Sequence, residues 1–119
     1  MYGPDMRTLA DVDLKANDRD AIVASARLLR ERFPVTDVLL FGSKARGTDG
    51  PESDIDLLVL TSRALSWREC DAITDALFDV ELAHDVVIST LVVFEDEWLH
   101  GRYQVLAIRD EIERDGVAA

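Results

Sequence analysis

Apolar positions along this chain follow two rhythms. Ile22, Ala26, Leu29 and Phe33 recur at spacings of three and four, which lays one stripe along a helix. That helix is predicted from a cap at Asn17 or Asp18 to about Arg32, with Arg19, Arg27 and Arg30 largely outside. Pro34 stops it, because the residue before a proline is pushed out of the helical region. Val35–Phe41 is a short continuous apolar run, read as a strand, and Ser43–Arg46 can start a short helix. The loop Thr48–Ser53, TDGPES, has turn chemistry. A second strand, Asp54–Leu60, ends before Ser66-Trp67-Arg68-Glu69, a capping box that opens a helix to about Ala83. Cys70, Ile73, Leu77 and Val80 share its inner face, so Cys70 is expected in the core as a small hydrophobe. A third strand is predicted from near His84 through Val86, Val87 and Ile88 towards Phe94. Glu95-Asp96-Glu97 suits the first turn of a helix, favourable to its dipole, and Trp98 is expected to pack on the core. A last amphipathic helix runs from Arg102 to Asp115, ended by Gly116, with 117–119 as a tail. Residues 1–16 read as a loosely held arm, and residues 17–119 as a single domain.

The pattern gives an α/β (α+β) domain: a small mixed sheet with helices packed on it. The strand–helix–strand crossover favours parallel pairing of the second and third strands, in the right-handed sense. A chain of 119 residues is one domain, and it buries roughly two thirds of its unfolded surface. Its formal charge of −11 repels phosphate backbones, which makes long DNA or RNA a poor partner. Cys70 is the single cysteine, so no internal disulfide can form. The start of the chain lacks the apolar stretch of a signal peptide, and no apolar run approaches 18 residues. The expectation is a cytoplasmic protein with no membrane association.

The chemistry concentrates in Phe41–Leu60, FGSKARGTDGPESDIDLLVL. Asp54 and Asp56 are two apart at the start of a strand, so their side chains share a face about 6.6 Å apart. Ile55, Leu57 and Val59 then point the other way, into a core. Two carboxylates that close repel unless a cation sits between them or one is protonated. A hard divalent ion such as Mg²⁺ takes oxygen ligands of this kind, often with substrate phosphates completing its shell. Alone, the pair reads equally as strand-start acids facing water. Upstream, Gly42-Ser43 joins the end of a strand to a helix start. Glycine permits close approach or positive φ, Ser is a good N-cap, and a helix N-terminus offers N–H groups to an anion. Lys44 and Arg46 add positive charge. This is not a Walker A loop, because Gly42-x-x-x-x-Gly47 is followed by Thr48-Asp49. The plain alternatives are an ordinary strand-to-helix turn, with Lys44 or Arg46 paired to Asp49 or Glu52. Gly-Ser ends one strand and Asp-x-Asp begins the next, so for both to meet one nucleotide the two strands must run antiparallel.

Gly42-Ser43-Lys44-Ala45-Arg46-Gly47, followed by Ser53-Asp54-Ile55-Asp56-Leu57-Leu58-Val59, resembles the signature of the polymerase-β-like nucleotidyltransferase superfamily. In particular it resembles the minimal nucleotidyltransferases of prokaryotes; Lys44, where that group commonly has Arg, is a mild departure. The resemblance implies the nucleotidyltransferase fold, α-β-α-β-α-β-α, and transfer of a nucleotidyl group from a nucleoside triphosphate to a hydroxyl. Asp54 and Asp56 would hold one or two Mg²⁺ ions. Gly42 and Ser43 would grip the β/γ-phosphates, with Arg46 and Lys44 offsetting charge on the leaving pyrophosphate. The resemblance also implies a third carboxylate on the third strand. Parallel pairing sets Asp85 beside the start of the second strand, with a plain strand-edge acid as the alternative. His84 is a candidate base or ligand, and otherwise a strand-start histidine.

Minimal nucleotidyltransferases of this kind are often antitoxins that transfer AMP from ATP to a tyrosine of a HEPN-type toxin, and the resemblance implies such a partner. Two other readings stand beside it. One is a binding module that neutralises its partner by contact alone. The other is a small-molecule or antibiotic nucleotidyltransferase, which usually adds a substrate-binding domain that this chain lacks.

Overall fold

The computed structural model describes residues 6–48, 50 and 53–119. Its elements run β1 (Arg7–Thr8), a 3₁₀ turn (Leu9–Asp11), α1 (Ala16–Arg32), β2 (Val35–Phe41) and α2 (Ser43–Arg46). They continue with β3 (Ile55–Thr61), α3 (Trp67–His84), β4 (Ile88–Phe94) and α4 (Glu95–His100). A second 3₁₀ turn (Arg102–Val105), α5 (Ala107–Asp115) and β5 (Val117–Ala118) complete the chain. The sheet order is β1-β5-β2-β3-β4. β2 pairs antiparallel with β3, and β3 parallel with β4, as the sequence predicts.

The sheet is covered on both faces, so its centre reads as a continuous apolar run rather than an alternating one. Ile55, Leu57 and Val59 turn towards α1 and α3, where they meet Ile22, Leu29, Ile73 and Leu77. Leu58 and Leu60 turn the other way, against Trp98 and Ile112. All five β3 side chains are fully buried, each worth roughly 1.5–3 kcal/mol. β3 is therefore the rigid element from which Asp56 projects, with Asp54 just before its first residue.

Both chain ends depart from expectation. Val117–Ala118 of the expected tail form β5, inserted between β1 and β2, and Ala119 N–H donates to Val38 O at 2.9 Å. The described part of the N-terminal arm is fixed as well, because β1 pairs parallel with β5. Three arginines lock these pieces. Arg7 donates to Ala45 O at 3.0 Å and to Asp115 O, Arg19 to Val12 O at 2.8 Å and to Leu9 O, and Arg30 to Ala119 O at 2.9 Å. Arg19 is thus half-buried rather than outside, drawn in by the carbonyls of the 3₁₀ turn. Two-residue strands carry no periodicity, which is why neither was legible.

The third strand begins at Ile88, four residues later than predicted, because α3 continues through His84. Asp85 caps it in the left-handed conformation, φ 52° and ψ 52°, which Asp tolerates better than most residues. The 102–115 helix is likewise split, into the second 3₁₀ turn and α5. Gly116 ends α5 with an ordinary negative φ; a side chain there would put Cβ 2.5 Å from Ile112 O. Cys70 is half-buried rather than core, since Ile73, Leu77 and Val80 set the inward face and leave position 70 at its border. The Ser66 capping box forms: Ser66 Oγ accepts from Glu69 N–H at 3.2 Å, and Glu69 Oε1 from Ser66 N–H at 3.1 Å. Replacing Ser66 by Ala is expected to cost about 1 kcal/mol, read as a lowered urea midpoint with an unchanged slope.

Candidate active site

β2 ends at Phe41, in register with Asp56 of β3. Gly42 follows with φ 76° and ψ −158°, a backbone conformation open essentially to glycine. A Cβ built there would lie 2.4 Å from Asp56 Oδ2. Gly42 therefore serves twice: it makes the turn into α2, and it lets the backbone come up against the Asp56 carboxylate. Both uses expected of this glycine are present. Ser43 is the first residue of α2 rather than its cap, a position that Gly42 takes. Its hydroxyl makes no hydrogen bond among the described residues, so it remains open to a ligand.

The two basic residues of the turn have different fates. Lys44 is buried at 3% exposure, and its Nζ lies 2.9 Å from Asp18 Oδ2 in the first turn of α1. Asp18 is therefore a buried ion-pair partner and not a helix cap: α1 starts at Ala16, and no side chain caps it. Arg46 is exposed, and its Nη1 lies 2.5 Å from Glu111 Oε1 of α5. Asp49 and Glu52, the expected partners of these two bases, lie outside the described residues.

Asp54 is exposed and Asp56 half-buried. Burial is the main force pushing the Asp56 carboxyl above its usual 3.8, and the Asp54 and Glu111 carboxylates add to it. Arg46 opposes them. Asp54 also lines a cleft of about 430 Å³, together with Asp18, Lys44, Ser53, Asp85, Val86 and Val87. Asp56, Gly42 and Arg46 lie outside that cleft's lining, on the side towards α5. The Asp pair thus stands where a cleft beside α1 and α3 meets a charged group built from α2 and α5.

Asp85 shares the cleft with Asp54, but it arrives at the end of α3 and not on the neighbouring strand. The β4 residue in register with Asp56 is Ser89. Among the described residues no three His, Cys, Asp or Glu side chains are placed to share one metal ion. His84 is in the last turn of α3, where its carbonyl accepts a bond from Asn17 Nδ2. Glu111 was not singled out from sequence, and Asp18 only as a helix cap. Each lies on a helix far along the chain from the motif, and only the fold brings it there.

A family model described as a nucleotidyltransferase domain matches residues 25–117. A Methanocaldococcus jannaschii protein named "Putative protein adenylyltransferase" is 36% identical over 55 residues. That match covers 46% of this chain and 56% of the relative, so the chain spans little more than half of it. Among solved structures, a chain of a toxin–antitoxin complex with AMP-PNP superposes with a TM-score of 0.56 at 20% identity, covering 83% of this chain and 69% of that one. A second likeness is to a complex of a tri-AMPylated Shewanella oneidensis HEPN toxin with an MNT antitoxin. Its TM-score is 0.54 at 16% identity, over 85% of this chain and 70% of that one. At such identities these structures speak for the fold. With its model matched across most of the sequence, including the Gly-Ser turn and the Asp-x-Asp strand, the chain belongs to the nucleotidyltransferase-domain family.

Proposed function

We propose that this protein transfers AMP from ATP to a hydroxyl of a HEPN-type toxin, a tyrosine being the acceptor, and so acts as the antitoxin of that pair. The observation that carries the reading is the contact of Gly42 with Asp56, beside an Asp54 that opens on a cleft. The names of the relatives support the substrate and the partner.

The residues fit a Mg²⁺ ion. Asp54 and Asp56 offer hard oxygen donors, and Asp56 sits in an excess of negative charge that a divalent cation would relieve. When bound, the ion supplies charge neutralisation at the transferring phosphate. Asp54 and Asp56 hold it in this proposal. The Ser43 hydroxyl and the first N–H groups of α2 take the β/γ-phosphates. Arg46 keeps Nε and Nη2 for the leaving pyrophosphate while Nη1 is held by Glu111. The acceptor oxygen bonds to the α-phosphorus, the bond to pyrophosphate breaks, and the hydroxyl proton passes to water. Asp85 is the carboxylate on the acceptor side in this proposal; its expected part as third metal ligand would need it to move, since no three such side chains among the described residues are placed to share one ion.

Co-expression with the product of the neighbouring gene tests this. Intact mass should show the partner gaining whole AMP units with wild type and none with Asp54→Asn; an unmodified partner rejects the transfer. Gly42→Ala is expected to cost about 1–3 kcal/mol through backbone strain, with loss of Mg·AMP-PNP binding by calorimetry as Cβ displaces the Asp56 carboxylate. Binding unchanged from wild type would remove Gly42 from the site.

A second reading has one observation in its favour. Ser89 stands in register with Asp56 on β4, the strand on which a third carboxylate was expected. A protein that neutralises its partner by contact would tolerate that serine. Under this reading Asp54→Asn still protects cells from the toxin, whereas under the first it does not.

A further inference from the structure

Helix α3 turns Ile73, Leu77 and Val80 into the core, yet its outer side is also apolar. Phe78 is 56% exposed, Leu82 67% and Trp67 71%. Phe78 and Leu82 are four apart, so they stack on one face, and Trp67 lies three turns back along the same line. Beside this row runs a second one, Asp71, Asp75 and Asp79, each exposed and each four from the next. None of the three makes an ion pair among the described residues. Like charges at that spacing repel, so the row costs the isolated helix and offers nothing to its own core.

The face is also continuous with the cleft. One turn past Leu82 the chain reaches Asp85 and Val87, both of which line the cleft, and Val87 is 58% exposed. A second copy is a poor occupant, because it would bring −11 and the same carboxylate row against this one. A partner with an apolar row flanked by Lys and Arg matches both rows at once.

We propose that this face of α3 is the docking surface for the acceptor protein, which covers Phe78 and Leu82 with an apolar ridge, pairs its basic residues with Asp75 and Asp79, and thereby lays its acceptor segment into the Asp54–Asp85 cleft. This rests on the proposed transfer to a protein partner. Exposed apolar residues beside a charge row are what a docking surface requires: burial supplies affinity, and complementary charge supplies steering and register.

The test uses the full chain and the purified HEPN-type product of the neighbouring gene, with binding measured by calorimetry at low and high salt. Phe78→Ser with Leu82→Ser should weaken binding at least tenfold. Asp75→Lys with Asp79→Lys should weaken it comparably and flatten its salt dependence. The serine pair should stay close to the wild-type unfolding midpoint, the lysine pair should match or exceed it as the row's repulsion is relieved, and both should keep the wild-type Mg·AMP-PNP affinity. Val105→Ser, at an 88% exposed valine distant in sequence from α3, should bind as wild type does. Wild-type affinity in the Phe78/Leu82 variant overturns the proposal, as does an equal loss in Val105→Ser. So does sedimentation showing a wild-type dimer that those serines dissolve. A wild type that binds through this face without modifying its partner rejects the transfer and leaves the docking surface standing. A wild type that modifies its partner, with the variants doing so equally well, rejects only the docking surface. A wild type that does not bind at all rejects both.

Discussion

Asp56→Asn is expected to lower nucleotidyl transfer by at least about 10²-fold, the scale on which one preorganised electrostatic group acts, while raising the unfolding midpoint of the ligand-free protein at pH 7. The two effects share a cause. Burial, with Asp54 and Glu111 beside it, holds the Asp56 carboxyl above 3.8, so ionising it costs more in the folded chain than in the unfolded one. A raised carboxyl pKa favours the fold most below the unfolded value, and that advantage is lost as pH rises through the folded value. At neutral pH the folded protein carries the full cost. Asn is neutral and nearly the same shape, so it removes that cost together with a metal ligand. Thermal unfolding should show the gain at pH 7 and its disappearance near pH 3, where Asp56 is already protonated. Asp54→Asn should abolish transfer without a gain of that size, because Asp54 is exposed. Full transfer in either variant rejects the pair as a metal site, and an unchanged midpoint for Asp56→Asn rejects the cost of burying this carboxylate beside its like-charged neighbours.

The sheet was readable because each of its long strands is a short apolar run between turn residues, and the antiparallel β2–β3 pair followed from requiring Gly42-Ser43 and Asp54-x-Asp56 to meet one nucleotide. Periodicity of 3.6 found α1 and α3 for the same reason: each has a core on one side. What stayed hidden was set by contacts distant in sequence. Asp85 looks like the first residue of a strand, because HDVVI is β-branched and apolar, but α3 runs on to His84 and Asp85 takes the left-handed cap instead. The four-residue shift moves the register, so that Ser89 and not an acid pairs with Asp56. Likewise Lys44 and Arg46 read alike in a motif, two positive charges after Gly-Ser. Their difference comes from what packs above α2: the buried Asp18 of α1 over one, and the Glu111 of α5 beside the other.

Asp18→Ala is expected to destabilise the protein by more than the roughly 1 kcal/mol of an exposed pair, because the buried Lys44 ammonium loses one of its partners. Lys44 Nζ lies 2.9 Å from Asp18 Oδ2, and both side chains are nearly closed to water. Removing the carboxylate takes one counter-charge from an ammonium at the start of α2 that is nearly closed to water. Replacing Lys44 by Met in the same protein should restore most of the loss, because an apolar side chain of similar length needs no counter-ion, and buried pairs are often matched by hydrophobic replacements. Urea unfolding of wild type, both single variants and the double variant closes the cycle. The functional consequence separates two uses of Lys44. If it is a strut that ties α2 to α1, the double variant holds the Gly42-Ser43 turn in place and binds Mg·AMP-PNP as wild type does. If the ammonium reaches the phosphates from the cleft that both residues line, the double variant is stable but loses nucleotide affinity. A single-variant cost under about 1 kcal/mol, the range of exposed pairs, would mean that the other contacts of Lys44 suffice and that Asp18 does not tie α2 to α1.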